Sequence, residues 1–272
     1  MKASEIIPLW KWVLLIIFGP IVFLLLYGLA QVPSSLVDNL PLEIAIYVAA
    51  GLLLIVLFTC WCNIFEKSWP DCIFSTKAGK HLLLGFGTGV LYFGIIAGVL
   101  AMAGVYKVKL GSDSWLEIVE YLALFFLVAV AEEIVFRGFI FRMIDERFNF
   151  VTALLVSALI FGFIHMGNSN ATLWSSVAIA VEAGLLLGAA YKYSGTIWLP
   201  IGIHWAWNFT QGNVLGFSVS GMPCEVSVFD AMVSGPEILT GGGFGPEASV
   251  VTVALGVIFT LFFISGYYRR IK

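Results

Sequence analysis

Residues 82–104 read LLLGFGTGVLYFGIIAGVLAMAG, twenty-three positions without a charged side chain. A helix needs about 20 predominantly apolar residues to cross the roughly 30 Å hydrocarbon core of a bilayer, at about 1.5 Å of rise per residue. This stretch fits that requirement. Working outward from it, seven further blocks have comparable length and apolarity: 12–31, 42–62, 116–137, 150–167, 172–191, 196–215 and 249–268. The composition agrees, with 60% hydrophobic and 11% charged residues. Soluble domains carry roughly 25% charged residues. The sequence therefore predicts an all-α, polytopic membrane bundle of about eight transmembrane helices in the cell membrane, forming a single membrane domain over 1–272. The partners this implies are membrane lipid and molecules that enter from the membrane, not nucleic acid. The first block is longer than the roughly 7–15 residue core of a secretory signal and is expected to remain as an uncleaved span. The four cysteines show no ligand spacing and read as packing residues.

Lys and Arg concentrate in cytoplasmic loops of membrane proteins. With the N-terminus inside, twelve of the fourteen basic residues fall on the cytoplasmic side: Lys2, Lys11, Lys67, Lys77, Lys80, Arg137, Arg142, Arg147, Lys192, Arg269, Arg270 and Lys272. Only Lys107 and Lys109 fall outside. Both termini are thus expected in the cytoplasm. The segment 216–248 is expected outside, with Glu225, Asp230, Glu237 and Glu247 and no basic residue.

An ionisable side chain within a bilayer costs at least about 2.5–3.5 kcal/mol on insertion scales and marks a functional site by default. The ionisable groups here are concentrated. The fourth block contains Glu132, Glu133 and Arg137, the fifth ends at His165, and the seventh contains His204 and Asn208. Residues four apart share a helix face, whereas neighbours point about 100° apart. Glu133 and Arg137 can therefore pair, while Glu132 faces elsewhere. His204 and Asn208 converge on one side of their helix, and Phe161 lies one turn below His165. A carboxylate and an imidazole in a partly dry cavity can activate water. A second histidine with a carboxamide can donate hydrogen bonds to a developing oxyanion. Together these parts describe hydrolysis of an amide without a covalent intermediate. Glu182, midway through the sixth block, has no assignment.

In order, Glu132-Glu133 with Arg137, Phe161 with His165, and His204 with Asn208 resemble the three motifs of the CAAX-processing and bacteriocin-processing membrane proteases, the CPBP or ABI family. The resemblance covers a catalytic core of about 115–215, and Gly243-Phe-Gly-Pro-Glu247 resembles a C-terminal element of bacterial members. It implies an intramembrane endopeptidase acting on a membrane-associated peptide or protein, including lipidated, CAAX-like ones. Glu132 would be the base, His165 its partner on the water, and His204 with Asn208 the oxyanion site, with Glu133 and Arg137 in support. No cofactor is expected. A glutamate with two histidines could in principle hold zinc, which would make the enzyme a metalloendopeptidase. The familiar zinc helix, however, places two histidines four apart around a glutamate, and this chain has none. The competing readings are a proton-coupled transporter and a non-catalytic partner of immunity or scaffold type. Repeated halves, the usual mark of a transporter, are absent, and a scaffold does not require these groups to converge.

Overall fold

The computed structural model describes residues 7–111 and 114–271. Lys2 and Lys272, counted above for orientation, lie outside the described residues. The first helices are α1 (Leu9–Ser35), α2 (Leu40–Trp61) and α3 (Ala78–Met102). α4 (Trp115–Glu133) runs without interruption through a π-helical stretch (Ile134–Phe141) into α5 (Arg142–Arg147). α6 (Phe150–Ile164) follows. Next come α7 (Leu173–Ile179), a π-helical turn (Ala180–Gly184) and α8 (Leu185–Ser194). α9 (Trp198–Phe209) ends in another π-helical turn (Thr210–Val214). The short α10 (Glu237–Thr240) precedes α11 (Val250–Ile271).

Local chemistry sets several helix starts. Asn39 caps α2 by accepting from the Leu42 amide, and Asn149 caps α6 through Thr152. Ser114 with Glu117 forms a reciprocal capping box on α4, as does Thr172 with Ser175 on α7. Such caps satisfy amides that have no partner within the helix.

Among the described residues, six helical runs are long and apolar enough to cross a membrane: Leu9–Val32, Leu40–Glu66, Ala78–Met102, Phe150–Gly167, Leu173–Ser194 and Val250–Arg270. The chain is a multi-pass integral membrane protein. The fourth and seventh sequence blocks are helical too but fall outside this set. The fourth carries Glu117, Glu120, Glu132, Glu133 and Arg137, and α9 has only 12 residues. Leu25, Leu29, Leu52, Leu83, Ile258 and Phe262 point outward, each more than half exposed. A soluble monomer rarely exposes contiguous apolar surface beyond a few hundred Å², whereas lipid covers it at no such cost.

The all-α expectation omits one element. β1 (Tyr106–Leu110) pairs antiparallel with β2 (Phe229–Val233), from Tyr106 opposite Val233 to Leu110 opposite Phe229. This ribbon ties the α3–α4 connection to the long segment before α11. The basic residues gather at the other end of the bundle. There Arg142 pairs with Glu66 and Lys192 with Asp145, while Arg270 donates to Tyr193 and Arg147 to the Ile7 carbonyl.

α3 and α9 pack backbone to backbone at glycines. A Cβ on Gly85 would strike the Leu199 carbonyl oxygen, and one on Gly202 would strike that of Leu82. Gly89, one turn beyond Gly85, lies as tightly against Ile203. Small residues that let backbones approach drive helix association in lipid, where water supplies no hydrophobic force. This contact sets the depth and rotation of α9, and with them the placement of His204. Gly202→Val is therefore expected to lower the melting temperature in detergent. Gly87→Ala, on an α3 face with nothing within 4 Å, is expected to leave it unchanged or slightly higher. Thermal unfolding of the two variants checks this.

Candidate active site

Glu133 and Arg137 are fully buried and joined at 2.8 Å between Glu133 Oε1 and Arg137 Nη1. Arg137 also donates to the Gly184 carbonyl at 3.2 Å, and its guanidinium lies 4.8 Å from the centre of the Phe161 ring. The cation is thus held by a carboxylate, a carbonyl from the π-helical turn of the neighbouring helix, and an aromatic face. Each replaces part of the hydration that burial removes.

The spacing of residues within one helix foretells this pair. It does not foretell that the same oxygen, Glu133 Oε1, also accepts from His204 Nδ1 at 3.0 Å. Glu133 therefore bridges an arginine on its own helix and a histidine on α9. With Nδ1 donating to Glu133, the other ring nitrogen, Nε2, points toward Glu132, 3.9 Å from its Oε2. That separation is too long for a hydrogen bond. His204 thus stands between two glutamates, bonded to one and facing the other.

His165 follows directly on α6. Its Nδ1 donates to the Phe161 carbonyl at 2.6 Å, which leaves Nε2 as an acceptor in the neutral ring. The Phe161 ring lies 4.9 Å from the His165 ring and 6.0 Å from that of His204, forming the wall between them. Glu132, His165, His204 and Asn208 all line one cavity of about 630 Å³. The four residues singled out in the sequence as chemically active are therefore brought together. Glu133 and Arg137 stand behind them, outside the cavity lining.

The meeting of Glu132 with His165 depends on α4 continuing to Arg147, which sinks Glu132 to the middle of a long helix. The backbone widens into π-helix immediately after Glu133. π-helical turns occur frequently at functional sites. This one is anchored by Phe139, whose ring lies 5.0 Å from Phe58, 5.3 Å from Phe23 and 5.7 Å from Trp61.

In the sequence Glu247 stands among the acidic residues of the 216–248 segment and at the end of the Gly243-Phe-Gly-Pro-Glu247 phrase, with no site role. In the fold it is buried and lines a small cavity with His165, His204 and Asn208. It accepts from the Ser220 amide and, at 3.0 Å, from the Ser220 hydroxyl. Burial pushes its carboxyl up from the ordinary range, and hydrogen bonds from Gln211 and Ser220 and the nearby His165 counter that rise. Glu247 reaches Ser220 because Gly245, at φ +106, packs where a side chain would meet Ser218. Asn168 and Asn170, just past His165, donate to the carbonyls of Ser220 and Gly221. The strand of chain around Ser220 is thereby fastened over the histidine from two sides.

Glu182 lies elsewhere. Fully buried, it accepts from the Tyr92 hydroxyl at 3.2 Å, and that hydroxyl also donates to the Thr252 carbonyl at 2.8 Å. It ties α3, the π-helical turn after α7 and α11 together. Tyr92 in turn stacks on Trp207 at 4.5 Å, just before Asn208.

His165 and His204 are both bonded within the protein through Nδ1, to a carbonyl and a carboxylate. Among the described residues, no group of three or more His, Cys, Asp and Glu side chains is arranged to hold an ion.

Residues 114–210 match the family model described as type II CAAX prenyl endopeptidase Rce1-like. The match covers less than half of the chain. It begins at the cap of α4 and ends just beyond α9, and it contains all three motifs on which the resemblance was drawn. A Bacillus subtilis (strain 168) protein described as "Putative membrane peptidase YdiL" is 27% identical over 106 residues. The aligned region is 37% of this chain and 41% of that relative, so the chain spans about two fifths of the length of the relative it matches.

The buried bridge makes a stability prediction. Removing one partner of a buried ion pair costs about 3–5 kcal/mol, because the other charge is left unpaired. Glu133→Gln should lower stability in detergent by that order, and adding Arg137→Met should recover part of the loss. Chemical or thermal unfolding of the single and double variants measures both effects. Full recovery is not expected, because His204 also loses its anionic acceptor.

Proposed function

We propose that the chain is an intramembrane endopeptidase that hydrolyses a peptide bond of a membrane-associated substrate. In this reading it has eight spans, with α4 and α9 completing the six apolar runs, and both termini face the cytoplasm. It forms one membrane domain. The observation that carries the reading is the convergence of Glu132, His165, His204 and Asn208, from three helices, on one cavity within an Rce1-like stretch. The Bacillus relative's description as a membrane peptidase supports the same class of activity.

The chemistry divides among these residues. Glu132 Oε2, buried and without a hydrogen-bond partner among the described residues, accepts a proton from water as the oxygen attacks the carbonyl carbon. His165 Nε2 accepts the water's second hydrogen bond and fixes its direction. The negative charge that develops on the carbonyl oxygen is met by donors from α9, the Asn208 amide and His204 Nε2. To donate there, His204 carries a proton on both ring nitrogens, Nδ1 toward Glu133 and Nε2 toward the carbonyl oxygen. The proton held by Glu132 then passes to the departing amine nitrogen as the carbon–nitrogen bond breaks. No covalent intermediate with the protein forms, and no step passes through a metal. Donors fixed in advance at the site of charge development are worth several kcal/mol in such reactions.

Glu132→Gln tests this. The change keeps size and hydrogen-bonding capacity but removes the proton acceptor, and Glu132 takes no part in the buried Glu133–Arg137 bridge. The variant should fold, insert and melt like the wild type. Its cleavage of a fluorogenic peptide library in liposomes should fall by about 10²–10⁴-fold or more. Cleavage at the wild-type rate would remove Glu132 from the mechanism.

A further inference from the structure

Two openings meet at the proposed water site. The larger cavity is walled by Tyr27 of α1, Tyr121 and Val128 of α4, Asn213 after α9, and Met222 and Glu225 of the segment before α11. Each of these lies between Glu132 and the bundle end that carries the β1–β2 ribbon, or at that end. The cavity lining includes no residue from the loops at the basic end. A second, smaller opening of about 160 Å³ is lined by Leu24, Glu132, Phe136, Ile164, His165 and Asn168. It lies between α1 and α6, whose outward residues Leu25 and Ile164 are 64% and 48% exposed on the lipid-facing surface. Glu132, His165 and Asn168 are common to both. One path thus leads from the proposed site sideways into lipid, and the other leads to the end opposite the basic residues.

Lys11, Lys67, Lys77, Lys80, Arg142, Arg147, Lys192, Arg269 and Arg270 sit toward the closed end, while the ribbon end has Lys107 and Lys109. The positive-inside rule makes the closed end cytoplasmic. We infer that the substrate is a membrane-anchored polypeptide cut in its extracytoplasmic juxtamembrane segment. It enters sideways past Leu24, Phe136 and Ile164 and extends outward between Tyr121 and Glu225. This inference rests on the protease reading and narrows it: a tail confined to the cytoplasm does not reach Glu132. Glu132 and Glu225 line the larger cavity and no Lys or Arg does, so a neutral or basic segment fits its outer part, beside Glu225, better than an acidic one.

Sidedness can be read without a substrate. Val128→Cys and, as a second site, Tyr121→Cys are made with Cys60→Ala and Cys224→Ala; Cys62 and Cys72 are buried. Lys77→Cys reports the closed end. A membrane-impermeant maleimide should label the two cavity cysteines in intact cells and not in sealed inverted vesicles, and Lys77→Cys should show the reverse. Labelling should persist with Glu132→Gln added, because access does not require chemistry. Labelling of the cavity cysteines from the Lys77 side, or from neither side, would overturn the inference. So would labelling of Lys77→Cys in intact cells. A palmitoylated, impermeant fluorogenic peptide library should be cleaved when added to intact cells and not to inverted vesicles. Cleavage in inverted vesicles alone contradicts the sidedness. If the cavity cysteines label as expected but neither preparation cleaves the library, the protease reading fails and the outward opening stands.

Discussion

A single carboxylate oxygen, Glu133 Oε1, holds the site together. It accepts from Arg137 at 2.8 Å and from His204 at 3.0 Å while fully shielded from solvent. A buried carboxylate alone is prohibitively costly, and a buried arginine equally so, so each is retained only with the other. Their pairing fixes the rotation of α4, and the bond to His204 fixes α9 against it. Glu132, the next residue along α4, is then turned toward the cavity, with His204 Nε2 in front of it. Gly85, Gly89 and Gly202 hold α9 closely against α3.

Much of this was legible in the sequence. Apolar runs marked the helices, and the four-residue spacing of Glu133 and Arg137 marked their pair, because both signals are local to one helix. The His204–Glu133 bond was not legible, since it depends on the register between two helices 71 residues apart in the chain. The close contact of α9 with α3 is not legible either, because Gly85, Gly89 and Gly202 look in the sequence like any other glycines. The β1–β2 ribbon was missed although Tyr106-Lys-Val-Lys-Leu110 alternates as a strand does. A place for Glu247 beside the histidines is not legible, because nothing local shows that Gly245 lets it fold back onto Ser220.

The polar groups of the bundle fall into two sets. Glu182 with Tyr92 and Glu66 with Arg142 satisfy one another inside the protein and join helices. Glu132, His165, His204 and Asn208 border open space instead. In a protein where each buried charge is costly, groups left facing a cavity are the ones available to a substrate. The Rce1-like match covers the helices that supply all four.

The claim that Glu133 positions His204 is most directly tested by a double-mutant cycle on unfolding in detergent, using Glu133→Gln, His204→Gln and the pair. Residues that share a hydrogen-bond network show coupling of about 0.5–3 kcal/mol. The double variant should therefore be less destabilised than the sum of the singles by an amount in that range. Strict additivity would mean that the two side chains do not act together, and the account of how the site is held would be wrong.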